Sequence, residues 1–162
     1  MIIGILATVA IPRFANLTSN AKVSSELSTA SAVETAIESA HSEWIVSDYE
    51  FRWGYEIDGS EKYSNCANSD MSDDNDFNCS KGYPNKLGVC PNKPFAYILK
   101  NSEMLKWSCE EINSTRVEYF GPASNMHSGV EEDNNSSKPD ENDCWVYNQS
   151  NGRFALDENC TQ

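Results

Sequence analysis

Basic side chains and histidine are both scarce in this chain. Twelve lysines and arginines stand against 25 acidic residues, which gives a formal net charge of −13 over 162 residues. A field of that sign repels phosphate backbones and anionic headgroups, so nucleic acid is not an expected partner. The lysines Lys81, Lys86, Lys93 and Lys100 are scattered among neutral residues and read as solvated surface. With only His41 and His127 available, general acid–base chemistry has few places to start. No Gly-x-Ser-x-Gly, His-Glu-x-x-His, phosphate-loop or dinucleotide fingerprint occurs. The carboxylates sit among Ser and Asn, away from the apolar neighbours that would perturb a pKa. The chain is not expected to be an enzyme.

Long hydrophobic runs are missing too, with one exception of limited length. Residues 1–11 are nearly all apolar, then Pro12 breaks the run and Arg13 brings the first charge. As helix, eleven residues cover about 16 Å, half of a bilayer core. No basic region precedes the run and no Ala-x-Ala follows it, so it does not read as a signal peptide. Neither glycine nor proline occurs from residue 13 to residue 53. Apolar residues recur there at Leu17, Ala21, Val23, Leu27, Ala30, Val33, Ile37, Ala40 and Trp44, mostly three or four apart. This predicts a helix from residue 1 to about residue 46, roughly 69 Å long. Frequent Ser and Thr lower its intrinsic propensity, so packing on a sheet must hold it. Pro12 removes one backbone hydrogen bond and is expected to kink or melt the helix locally, unless the helix begins only at Ile11.

Six cysteines, Cys66, Cys79, Cys90, Cys109, Cys144 and Cys160, are too far apart for a zinc ligand pattern and include no Cys-x-x-Cys. An even number on a polar chain reads as three structural disulfides in an oxidising compartment, with fifteen pairings open. Local pairs, Cys66 with Cys79 and Cys90 with Cys109, are the simplest. Residues 48–59 alternate aromatic and polar and suit one short strand, whereas 61–92 read as loop. Residues 94–100 and 116–121 read as strands. Two further strands, 144–148 and 153–156, flank Asn151-Gly152, a strong hairpin signal. Cys144 and Cys160 therefore stand at the outer ends of one hairpin, where they can face each other. Asp70, Asp73, Asp74 and Asp76 raise the question of calcium. Asp74-x-Asp76-x-Asn78 opens like an EF-hand loop, but Cys79 replaces the glycine and Asn85 the closing glutamate, so the motif fails. Trp44, Tyr49, Trp53 and Tyr55 are expected at a seam between helix and sheet.

The order Ile3-Gly-Ile-Leu-Ala-Thr-Val-Ala-Ile-Pro-Arg-Phe14, running straight into an amphipathic helix, resembles the N-terminal segment of type IV pilins and type II secretion pseudopilins. In that family a leader is cleaved, the new first residue is methylated, and a glutamate follows in an apolar helix. Those features are not in this sequence, whose Met1 falls about ten residues into the pattern. The resemblance implies an α+β, pilin-like fold: a long helix on a small antiparallel sheet with disulfide-stapled loops. It implies a helix over 1–47, apolar in 1–14 and amphipathic in 15–47, and a globular head over 48–162. Within the head, 48–93 would connect and 94–162 would form the sheet and its disulfide-bounded C-terminal hairpin. The assembly residues would be Ile2, Ile3, Ile5, Leu6, Val9, Ile11, Pro12 and Phe14. Function would be that of a structural pilin, first held in the inner membrane and then packed with identical or related subunits in an extracellular filament. A pseudopilin of a type II secretion machine or a minor adhesive pilin are the alternatives. Major pseudopilins bind calcium in a C-terminal loop, which makes Asp133, Asp140 and Asp143 weak calcium candidates; no other cofactor is expected.

Overall fold

In a computed structural model the chain is described over residues 2–67, 76–113, 116–132 and 137–160, with helix side chains described from Leu17 onward. Helix α1 (Ile2–Val46) spans 45 residues, about 68 Å at 1.5 Å per residue. It is helical on both sides of Pro12, so it neither begins at Ile11 nor melts at the proline. Its buried positions are Val23, Glu26, Ala30, Val33, Ile37 and Ala40, followed by half-buried Trp44. These alternate steps of three and four, the spacing of a single seam. Leu17 and Leu27 stand off it, at 65 % and 37 % exposure. One helical residue is a turn of about 100°, so with Glu26 on the seam its neighbour Leu27 must point away.

Among the described residues eight strands follow: β1 (Glu50–Tyr55), β2 (Glu61–Asn65), β3 (Phe77–Asn78), β4 (Tyr83–Pro84), β5 (Ser108–Asn113), β6 (Arg116–Phe120), β7 (Cys144–Asn148) and β8 (Arg153–Asp157). β1 and β2 form one antiparallel hairpin, β3 and β4 a very short one, and β5-β6-β7-β8 a four-stranded antiparallel meander. The helix packs on β1, β4 and β8. The architecture is α+β.

Two expectations fail here and one strand was not expected, each for a local reason. Residues 61–92 are not all loop: β2 turns Lys62 and Ser64 inward, and a strand with a polar inner face does not alternate in hydropathy. Residues 94–100 are not a strand. The Phe95 carbonyl accepts from Ile98 N at 3.2 Å and Leu99 N at 2.9 Å, a coil of turns that drives Phe95 and Ile98 into the core. β5 escaped notice because its last four residues are exposed and polar apart from Ile112.

Phe95 is the hub of the interior. It stacks on Tyr119 at 5.4 Å and meets Trp107 and Phe154 edge-on at 5.0 and 5.9 Å; Trp145 stacks on Phe154 at 5.3 Å. Aromatic pairs at such spacings contribute about 0.5–1.5 kcal/mol each beyond area burial. Three disulfides fasten this core to its loops: Cys66–Cys79, Cys90–Cys109 and Cys144–Cys160. They agree with the local pairings and place the chain in an oxidising environment. The β7–β8 turn is closed by Gly152 N donating to the Asn148 carbonyl at 2.9 Å, with Gly152 at φ 71°. A methyl group there would also run into the Tyr83 ring, so the turn demands glycine twice over.

Candidate functional site

The helix is fixed to the head by a polar clasp in the middle of an apolar seam. Glu26 is wholly buried. Its Oε2 accepts from the backbone N–H groups of Ala123 and Ser124 at 2.7 and 3.0 Å, and its Oε1 accepts from Trp145 Nε1 at 2.8 Å. Two adjacent amides of a turn and one indole N–H thus converge on one carboxyl group and give both of its oxygens a donor. Gly121 makes this approach possible, because a Cβ at that position would overlap the Glu26 side chain. Towards the N-terminus, Lys22 Nζ donates to the Ser128 carbonyl at 2.6 Å and Ser19 Oγ to the Gly129 carbonyl at 3.3 Å. Residues 121–130 therefore lie along the helix as a strap, and a small apolar cluster of Val23, Ala123 and Val130 is sealed beneath it.

At the other end the helix is held by aromatic stacking. The His41 ring lies flat on Tyr83 at 4.2 Å and beside Trp44 at 5.4 Å, and its Nδ1–H donates to the Gly82 carbonyl at 2.8 Å. His41 is thus spoken for by structure. Of the four aromatics expected at the seam, Trp53 is buried with Nε1 on Ser64 Oγ at 2.6 Å, and Trp44 packs on the core. Tyr55 is half-buried. Tyr49 is 59 % exposed and lies off the seam.

Beside β1, Lys62 lies buried with Nζ 3.0 Å from Glu56 Oε1 and 2.8 Å from Asp76 Oδ2, over the Tyr97 ring. Burial works against its ammonium, but hydrogen bonds to Asp76 and Glu56 win and hold its pKa above the ordinary lysine value. Asp76 is therefore an ion-pair partner of β2. Asn78 caps a turn, its Oδ1 accepting from Ser80 N and Lys81 N at 3.1 Å each. Two of the EF-hand-like positions thus have other work; Asp70, Asp73 and Asp74 lie outside the described residues.

Among the calcium candidates, Asp133 also lies outside the described residues. Asp140 and Asp143 are both buried and bind the turn between them: Asp140 N donates to Asp143 Oδ2 at 3.1 Å, and Asn142 N to Asp140 Oδ1 at 3.1 Å. Burial pushes the Asp143 carboxyl up to about 6, against the backbone hydrogen bond from Asp140. Among the described residues no three metal-type side chains gather. On the far side of the sheet Arg116 bridges Glu118 at 2.8 Å and Asp157 at 3.1 Å.

Of the expected assembly residues, Ile2, Ile3, Ile5, Leu6, Val9, Ile11, Pro12 and Phe14 all fall within α1, as one end of the rod whose other end carries the head. Sequence reading missed Glu26 and Lys62. The signal for Glu26 was present in the spacing 23-26-30-33-37-40-44, but Leu27 one position on offered an apolar substitute. Among the described residues no helix is long and apolar enough to cross a membrane. No family model, no curated protein and no solved structure matches this chain.

Proposed function

We propose that this chain is a pilin-like structural subunit of an extracellular type IV pilus-like filament, polymerising through the apolar end of α1. The observation that carries the reading is the division of one continuous helix. Hydrogen bonds from the helix to the strap and head run from Ser19 to His41, whereas the apolar run ends at Ile11, about 12 Å further along the axis. A rod with an apolar tip, in a chain of net charge −13 whose acidic residues lie mostly in the head, is suited to burying the tip among neighbours while the heads stay in water. Ile2, Ile3, Ile5, Leu6, Val9, Ile11 and Phe14 would each contribute about 1.5–3 kcal/mol on full burial. The disulfides suit a head exposed outside the cell, where no reducing pool protects or rebuilds it.

The test is a double substitution, Ile5→Asp with Leu6→Asp. The expected outcome is loss of the protein from filaments sheared off the cell surface, with the unfolding temperature of the head unchanged. A variant that still enters filaments as the parent does would overturn the proposal.

A further inference from the structure

A cleft on the head takes no part in holding the helix. It opens between the turn that joins β1 to β2 and the coil from Lys93 to Glu103. Gly59, at φ 83°, closes the turn by donating its N–H to the Glu56 carbonyl at 2.9 Å. Tyr55 N donates to the Tyr97 carbonyl at 2.8 Å and ties the two walls together. Asn101, at φ 61°, bends the coil into the 3-10 turn Ser102–Met104. The cleft holds about 240 Å³, below the roughly 300–1,000 Å³ of sites for drug-sized ligands, which suits one small ring.

Lys93 and Lys100 read as scattered surface in the sequence, yet both line this cleft. Neither has an acidic partner among the described residues, whereas Arg52, Lys62, Lys86 and Arg116 all do. Lys100 Nζ stands 6.0 Å over the Tyr55 ring. Asp58 and Glu103 line the cleft as well. Asp58 Oδ1 accepts from Ser60 N and Oγ, and its other oxygen meets no donor among the described residues. Ser102 is the most telling member. It lines the cleft and is 4 % exposed, yet its hydroxyl meets no partner among the described residues. A buried hydroxyl left so costs stability, and a bound ligand is what would supply the missing bond.

We propose that this cleft binds one ring of a neutral carbohydrate. Two lysines against two carboxylates leave it without net charge, and Glu56, the remaining acid of the turn, is taken up by Lys62. In a chain of net charge −13 that balance disfavours an anion, and the two unpaired lysines disfavour a cation. A sugar hydroxyl both donates and accepts, so one ring matches the carboxylates, the ammonium groups and Ser102 together. The Tyr55 face that draws Lys100 also draws the polarised C–H bonds of a sugar ring. The site belongs to the head alone and goes beyond the subunit reading, on which it does not depend.

Amide NMR of the isotope-labelled full chain tests this directly. The probes are the methyl glycosides of glucose, galactose, mannose and N-acetylglucosamine, each titrated separately, with inorganic phosphate and glycine as charged references. The expected result is saturable shifts of amides within residues 55–59 and 93–103 with at least one glycoside, at a Kd on the order of 1 mM for so small a ligand. Phosphate and glycine should leave those amides in place. Ser102→Ala should weaken the binding roughly tenfold while the unfolding temperature stays level or rises, because the hydroxyl removed has no bond to lose. A purely structural serine would show the reverse, a lower unfolding temperature with binding intact. Lys100→Gln, at an exposed position, should weaken binding too. The inference is overturned if no glycoside shifts these amides even at roughly tenfold that Kd, or if only phosphate or glycine does. It is equally overturned if both substitutions leave sugar binding unchanged.

Discussion

Replacing Glu26 by alanine would leave the N–H groups of Ala123, Ser124 and Trp145 buried with no acceptor. Each unsatisfied donor costs about 1–3 kcal/mol, so a loss on the order of 3–5 kcal/mol in chemical denaturation is expected. Glu26→Gln keeps the shape and one acceptor oxygen and should cost about 1–2 kcal/mol. An alanine scan in which Glu26 is no more sensitive than exposed Glu38 would contradict the clasp. Asp143 gives a pH prediction. Its folded pKa, about 6, lies above the unfolded carboxylate value near 4. The folded state therefore holds the proton more tightly between those values, and this group's contribution to stability falls as pH rises from about 4 to 6, then stays level. Asp143→Asn cannot titrate but keeps an oxygen for Asp140 N. The stability difference, parent minus variant, should decline across that window and be flat above it; a difference independent of pH would remove the assignment.

At the scale of elements, the β7–β8 hairpin is where sequence and structure agree most closely. Asn151-Gly152 set the turn, Cys144 and Cys160 stood at its outer ends, and their pairing follows from the register Cys144↔Asp157. Converting both cysteines to serine opens a loop of sequence separation 16 and should lower stability by about 3 kcal/mol, read as a fall in Tm. An unchanged Tm would mean the hairpin needs no staple. The long helix was legible for the same reason as the hairpin: its signal is local and repeated. What stayed hidden depends on partners distant in the chain. Lys62 looks like a loop lysine until Asp76 and Tyr97 are folded around it, and Glu26 looks like a surface acid until residues 121–124 arrive. Residues 94–100 show the converse. Their short apolar run suits a strand or a coil of turns equally well, and contact of Phe95 with Trp107, Tyr119 and Phe154 decides for turns.

The whole molecule is a rod and a head with opposite solubilities, and the proposed function is a consequence of that contrast. The head carries its charge outside an aromatic core into which Cys79, Cys109 and Cys144 are buried, whereas the rod ends in residues that water disfavours. Strength of assembly should then depend on the tip and on salt in different ways. Chains of net charge −13 repel one another when their heads pack side by side, and that repulsion is screened over about 10 Å at 0.1 M ionic strength. Filament yield is expected to rise between low and moderate salt; a yield that falls over that range would point to attractive head-to-head ion pairs. The measurement that bears most directly on the central claim is mass spectrometry of filaments sheared from the surface of the native cells. The account predicts that this protein is a principal component of the sheared fraction, with its three disulfides intact. Its absence there, with the protein recovered only from soluble or membrane fractions of the same cells, would contradict it.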